Sequence, residues 1–255
     1  MEGNVFLIEV DNPPVNALGK EVRTGLNKAI SAASEAEQAR VVLIICKGKT
    51  FFVGADITEL DGGISKDVLL DFTRACNELP IPVVCAMHGN AFGGGVVIAL
   101  ACDYRLAMPG TRFALPEVKL GLLPACGCTQ TLPRLISVSA ALDLMLFGDP
   151  IDCEKALREG LIDDVLDGDL LLSALSHPLV KKPREKRVVM ALPPSSDKES
   201  VDFIKIQTEI PKNNLYRARS YCVELVEKAV RLPVSEVLDE EYLLFQRLIA
   251  SEESK

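Results

Sequence analysis

Two unbroken apolar runs constrain this chain more than anything else in it: Val41-Val42-Leu43-Ile44-Ile45-Cys46 and Val83-Val84-Cys85-Ala86-Met87. A strand with one face in water alternates apolar and polar residues. A strand with no polar position has both faces covered, which is the habit of parallel sheets. Parallel neighbours need a crossover connection, usually a helix. Helical spacing occurs where such crossovers belong. Val22, Leu26, Ala29, Ile30 and Ala33 share one face of the stretch 16–34, and the stretch 68–79 is helical up to Pro80-Ile81-Pro82. Val5–Val10 reads as a strand closed by Asp11-Asn12-Pro13-Pro14, and residues 103–107 as another. Strands and helices alternate to about residue 110, so the expected class is α/β.

Beyond that point helices are expected over 139–147 and 152–159, with Gly160 as a stop, and a short strand over 161–166. The charge run Lys181-Lys182-Pro183-Arg184-Glu185-Lys186-Arg187 and the breaker Pro193-Pro194-Ser195-Ser196 suggest a boundary. The expected division is 1–192 for the core and 193–255 for a helical region, with amphipathic helices over 201–210, 215–232 and 235–251.

Composition excludes several function classes. The 255 residues are 48% hydrophobic with a net charge of −8, which argues against a nucleic-acid partner. No apolar run has the length of a membrane span. Eight cysteines lie mostly inside apolar stretches, where they read as small buried hydrophobes in a reducing, cytoplasmic setting. Cys126-Gly127-Cys128 has no second pair at zinc spacing and the chain has only His88 and His177, so no metal site is expected.

Gly93-Gly94-Gly95 directly precedes the apolar run 96–101. Glycines at a helix start leave free N–H groups approachable and place the positive end of the helix dipole beside them. That suits a developing negative oxygen, although glycines alone also suit tight packing. No Gly-Lys-Ser/Thr follows, and the spacing of a dinucleotide fingerprint is absent.

Several ordered segments then combine. Phe52-Val53-Gly54-Ala55-Asp56-Ile57, Met87-His88-Gly89-Asn90-Ala91-Phe92-Gly93-Gly94-Gly95, Cys102-Asp103-Tyr104-Arg105, Leu115-Pro116-Glu117-Val118-Lys119-Leu120-Gly121 and Thr129-Gln130-Thr131-Leu132-Pro133-Arg134 together resemble the enoyl-CoA hydratase/isomerase (crotonase) superfamily. The similarity is greatest to the N-terminal hydratase/isomerase part of multifunctional fatty-acid β-oxidation enzymes, whose linker helix Glu240-Glu241-Tyr242-Leu243-Leu244-Phe245 resembles. The resemblance implies a crotonase-like spiral of β/β/α units with a helical C-terminal layer. It implies an acyl thioester ligand, with coenzyme A as part of the substrate and no separate cofactor. The thioester carbonyl would lie in an oxyanion hole made by the N–H groups of Ala55 and Gly94, with Gly54, Asp56, Ile57, Phe92, Gly93, Gly95, Val97, Pro116 and Ala125 around the substrate.

By the same resemblance Glu117 is the catalytic acid/base, and its apolar neighbours should raise its pKa. The other glutamate of the hydratases is replaced by Val97, which cannot activate water, and Ala125 stands where the family has glycine. The leading expectation is therefore an isomerase that moves a double bond from 3-enoyl to 2-enoyl. A hydratase with a rearranged water site, an enzyme acting on an acyl carrier protein as in polyketide pathways, and an acyl-CoA-binding pseudoenzyme stay open. Decarboxylation of the polyketide kind needs a late His, and none follows His177. His88 is expected to be structural and Asp56 to cap a following helix. A homo-oligomer, most simply a trimer, is expected from the apolar surface of the C-terminal helices; the resemblance to the multifunctional enzymes leaves open a linker helix folded back on its own chain, which gives a monomer.

Overall fold

The computed structural model describes residues 3–56, 59, 66–211 and 217–251. In chain order these form β1 (Val5–Val10), α1 (Lys20–Glu35), β2 (Val41–Cys46), α2 (Lys66–Glu78), β3 (Val83–Met87), β4 (Asn90–Phe92), α3 (Gly94–Ala101), β5 (Tyr104–Ala107) and β6 (Arg112–Ala114). There follow α4 (Cys128–Leu135), α5 (Val138–Phe147), β7 (Ile151–Asp152), α6 (Cys153–Glu159), β8 (Asp164–Val165), α7 (Leu170–Ser176), α8 (Pro178–Lys181), α9 (Phe203–Glu209), α10 (Arg217–Ala229) and α11 (Val234–Ile249).

The apolar runs are inner strands, as their composition requires. The main sheet has the order β1-β2-β3-β5-β8, and all its pairings are parallel. Alternate residues of β2 serve opposite faces. Val42, Ile44 and Cys46 join the large core that contains α1 and α3, whereas Val41, Leu43 and Ile45 face a smaller core closed by Ala174, Leu179 and Val180. A second sheet, β4-β6-β7, joins β4 and β6 in parallel, with Asn90 opposite Arg112. The chain thus repeats a step from a main-sheet strand to a small-sheet strand and then to a helix or turn: β3, β4, α3, and again β5, β6 and the 3-10 turn Pro116–Leu120. This is the crotonase-like α/β spiral.

Two expectations about local structure need correction. The first helix begins at Lys20 rather than near Asn16. Asn16 is buried at φ 53°, and its amide donates to the carbonyls of Lys47 and Thr50 at 2.9 Å each, so it anchors a loop instead of entering a helix. Within 161–166 only Asp164–Val165 forms a strand, because the preceding residues serve as acceptors for a buried cation. Arg105 on β5 is fully buried. It donates to Leu161 O at 3.0 Å, to Asp163 Oδ2 at 3.2 Å, and to Ala99 O and Cys102 O at 3.3 and 2.8 Å. Its guanidinium therefore satisfies carbonyls at the C-terminus of α3, where positive charge also complements the helix dipole.

Part of the charge run docks on the same feature. Lys186 Nζ reaches Asp103 at 3.2 Å, and Arg187 reaches Asp163 at 2.6 Å while lying over the Tyr104 ring. Helices on both sides of residue 192 share one core: α10 packs against α4 and α5, and Cys222, Leu225 and Leu248 belong to the cluster that contains Val42 and Cys85.

Candidate active site

Close backbone approach builds this site. Gly54 and Gly93 have φ of 116° and 52°, which side chains rarely tolerate. A Cβ on Gly95 would lie 2.1 Å from the Phe52 carbonyl oxygen. A Cβ on Gly94 would lie 2.7 Å from Leu18 Cδ1 and 3.5 Å from Ala55 N. The start of α3 is thus pressed against the segment 52–55. That segment is held by Phe92 N–H donating to Phe52 O at 3.0 Å and Leu18 N–H donating to Gly54 O at 2.9 Å. Gly94 is the first residue of α3, so its N–H has no acceptor within the helix. Among the described residues, neither it nor the N–H of Ala55 has a backbone acceptor.

Glu117 comes to the same place from the turn Pro116–Leu120, anchored by the fully buried Leu115. A Cβ on Gly93 would fall 2.9 Å from Glu117 Oε1, so the carboxyl lies against the peptide that leads into Gly94. Glu117 Oε2 is sealed from solvent and has no hydrogen-bond partner among the described residues. Burial pushes the carboxyl pKa up to about 7, with a hydrogen bond from its own backbone N–H opposing part of the rise. A carboxyl poised there can take a proton near neutral pH and give it back.

A cavity of about 150 Å³ joins these groups. It is lined by Gly54, Ala55, Gly93, Gly94, Val97, Pro116, Glu117 and Ala125 from the sequence expectation. Glu117 is the one carboxyl among its described lining residues. Phe92, Gly95 and Asp56 do not line it. Phe92 and Gly95 hold the backbone contact with Phe52 instead. Ile57 lies outside the described residues, and so does the start of the helix that Asp56 was expected to cap. His88 contacts Gly48 O through Nε2 at 3.1 Å and takes no part in the cavity, in keeping with a structural role.

The sequence reading missed the lining residues Val53, Leu120, Leu122, Leu123, Cys126 and Phe245. The leucines flank Glu117 in sequence and could have been found by adjacency. Phe245 comes from α11, which no local signal connects to this cavity. The same helix contributes Glu241, buried and accepting from Gly127 N at 2.6 Å, Thr129 N at 3.1 Å and Thr129 Oγ1 at 2.5 Å. Gly127–Thr129 is the N-terminus of α4, so a carboxylate from a remote helix caps it. Burial raises the Glu241 pKa to about 7, opposed by these hydrogen bonds.

The family model described as "Enoyl-CoA hydratase/isomerase" matches residues 1–189. The "Peroxisomal bifunctional enzyme" of Danio rerio is 37% identical over 254 residues, and that of Homo sapiens 34% identical over 266 residues. These alignments cover 97% and 98% of this chain but 35% of each relative, so the chain spans about a third of their length. A solved enoyl-CoA hydratase/isomerase from Pseudoalteromonas atlantica T6c superposes with a TM-score of 0.70 at 27% identity, covering 98% of this chain and 90% of that one.

Proposed function

The chain belongs to the enoyl-CoA hydratase/isomerase family, and from that premise we propose that it moves the double bond of a 3-enoyl thioester into conjugation, giving the 2-enoyl thioester. The observation that carries this reading is the cavity's pairing of one carboxyl, Glu117, with the apolar Val97. In the proposed cycle the thioester oxygen accepts from the N–H groups of Ala55 and Gly94. Glu117 as carboxylate removes a proton from C2, and the electrons spread over a dienolate whose oxygen carries the charge. Each preorganised donor stabilises that oxygen more than the starting carbonyl, by roughly 3–4 kcal/mol in known cases. The protonated Glu117 then returns the proton to C4. No water is consumed, so a second carboxylate has no task.

The test is incubation with 3-hexenoyl-CoA while conjugated enoyl thioester is monitored by absorbance. Conversion without net hydration is expected. Absence of turnover together with measurable binding would leave a non-catalytic acyl-CoA binder instead. Hydration of 2-enoyl thioesters is the second reading, favoured by the description "Enoyl-CoA hydratase/isomerase" of the matching family model. Hydration of crotonyl-CoA at a rate matching isomerisation would select it. Coenzyme A and an acyl carrier protein are alternative thiol carriers, separated by offering the same 3-enoyl group on each.

Eight free cysteines suit a reducing compartment, either the cytosol or an organelle such as the one named for the peroxisomal relatives. No helix among the described residues is long and apolar enough to cross a membrane. For assembly, the trimer expected from sequence competes with a monomer in which α11 serves its own core. The burial of Val237, Leu244, Phe245 and Leu248 within one chain supports the monomer. Sedimentation at micromolar concentration is expected to give the mass of a single chain, and a trimer would overturn this.

A further inference from the structure

The two proposed donors are held in different ways. Gly94 N–H shares a peptide with Gly93 O, which accepts from Val96 N and Val97 N at 2.9 and 3.2 Å, so α3 itself fixes that donor. Ala55 stands outside the named strands and helices, in an isolated bridge with Leu18. It follows Gly54, at φ 116° and without a Cβ, which leaves the peptide plane between them easily turned. The Ala55 N–H therefore depends on a hold from elsewhere in the chain.

A relay through Leu18, Arg23 and Glu59 supplies it. Leu18 N–H donates to Gly54 O at 2.9 Å. In a planar trans peptide the carbonyl and the next N–H point in opposite directions, so fixing Gly54 O aims Ala55 N–H away from Leu18. Leu18 is placed in turn by Arg23 of α1, whose Nη1 donates to Leu18 O at 2.6 Å. Nη2 of the same guanidinium donates to Glu59 Oε2 at 2.9 Å. Glu59 also accepts from Lys20 N–H, at 2.8 and 3.0 Å through its two oxygens, at a helix start where Gly19 gives no side-chain cap. Leu18 reaches the other donor as well, since a Cβ on Gly94 would lie 2.7 Å from its Cδ1. The rigid guanidinium fork serves a carbonyl and a carboxylate at once, a task for which a single ammonium is poorly shaped. An ion pair as open as this one, with side chains 19% and 34% exposed, adds little to stability. Its consequence lies in what it holds.

We propose that Arg23 and Glu59 are positioning residues for the reaction, and that through Leu18 they aim the Ala55 N–H at the thioester oxygen. The inference rests on the proposed placing of the thioester at Ala55 and Gly94. It holds for any reaction of this site that passes through an enolate.

The test uses the full chain and butyryl-CoA isotope-labelled at the thioester carbonyl carbon, a ligand with no double bond to move. Hydrogen bonds to a carbonyl oxygen lower its stretching frequency, and infrared difference spectra at saturating ligand read that one bond. In the wild type the bound stretch is expected below that of the free thioester. Arg23→Met and Glu59→Ala cut the relay at different points, and each is expected to give back about half of the lowering, because one of two donors loses its aim. Glu59→Gln keeps an acceptor oxygen for Arg23 and Lys20 and should retain most of it. Lost stability alone leaves the stretch of the folded, saturated protein unchanged, so this readout separates positioning from folding. In Arg23→Met the butyryl-CoA Kd should change less than about threefold, while kcat with 3-hexenoyl-CoA should fall about tenfold or more. The full wild-type lowering in Arg23→Met overturns the inference, and Glu59→Ala decides in the same way if Arg23→Met does not fold. No lowering in the wild type removes the thioester from these donors and sinks both this inference and the proposed cycle. A lowering that depends on Arg23 without isomerisation sinks the proposed reaction and leaves the relay intact. Isomerisation with the full lowering in both relay variants does the reverse.

Discussion

Glu117 carries both the proposed chemistry and a strain on stability. Its carboxyl is buried without a partner for Oε2, and its pKa is raised from 4.5 to about 7. A raised pKa in the folded state means that the folded chain prefers the neutral acid. The associated stability is fully present below pH 4.5 and is lost as pH rises through about 7. Glu117→Gln removes that loss, so the variant should gain stability over the wild type as pH is raised from 5 to 8, by at most about 3 kcal/mol. Thermal melts of both proteins at the two pH values check it, and an equal difference at both refutes the titration. The same variant should lower kcat by about 100- to 10,000-fold with little change in ligand affinity. In the wild type, kcat/KM should climb with pH and level off above about 7, because the proposed cycle needs the carboxylate to take the C2 proton. Val97 supplies the converse test. Val97→Glu places a second carboxyl on the cavity and should raise crotonyl-CoA hydration above the wild-type rate, with partial gain because a carboxyl among Val96 and Ile98 is costly to ionise. No gain in that absorbance assay would mean that water fails to reach C3 even with a base present.

At the scale of elements, α11 and α4 are joined by a single carboxyl. Glu241 accepts three hydrogen bonds at the N-terminus of α4, and the loop it fixes carries Ala125 and Cys126 into the cavity wall. Cys126 stands at φ 61°, an unfavourable angle for a side-chain-bearing residue, which the surrounding contacts must hold. Glu241→Ala leaves two buried N–H groups and a hydroxyl without an acceptor and should destabilise the fold by about 3 kcal/mol, measured by urea unfolding. It should also lower kcat more than it changes KM, since the wall beside Glu117 shifts while the N–H groups of Ala55 and Gly94 stay. A variant with wild-type stability would show that α4 is capped in some other way. Gly93 makes a similar point within one element. Gly93→Ala meets Glu117 Oε1 at 2.9 Å and a φ of 52°, so it should impair activity although only a methyl group is added.

For the molecule as a whole, the helical layer is part of the core. Val237, Leu244, Phe245 and Leu248 of α11 are buried in the cluster that reaches β2 and β3. A chain ending at residue 233 exposes these neighbours and opens the cavity beside Phe245. It should be poorly soluble or melt far below the full chain, and its acyl-CoA binding should be weak. A truncated chain with an unchanged melt would show that α11 is an independent appendage. The pairing of α11 with its own core is also the physical ground for expecting one chain per particle in solution.

Local rules made a large part of this visible in the residue order. The runs 41–46 and 83–87 could only be strands covered on both faces, and they are the inner strands of the parallel sheet. Gly93-Gly94-Gly95 before an apolar run suggested a helix start open to close backbone approach, and α3 does begin at Gly94. Those requirements are set by neighbours in sequence, by alternation, period and backbone angle, so a single chain displays them. What the glycines touch was decided in three dimensions. Phe52 presses on Gly95, Glu117 lies against Gly93, and Phe245 closes the cavity from α11. Glu241 and Phe245 were legible as positions on an amphipathic helix that resembles a linker helix, but their partners were not, since a periodic face announces that it will be buried and carries no mark of what covers it. The carboxyl pKa followed the same division: apolar neighbours in sequence promised a rise, and the sealing of Oε2 by folded packing produced it.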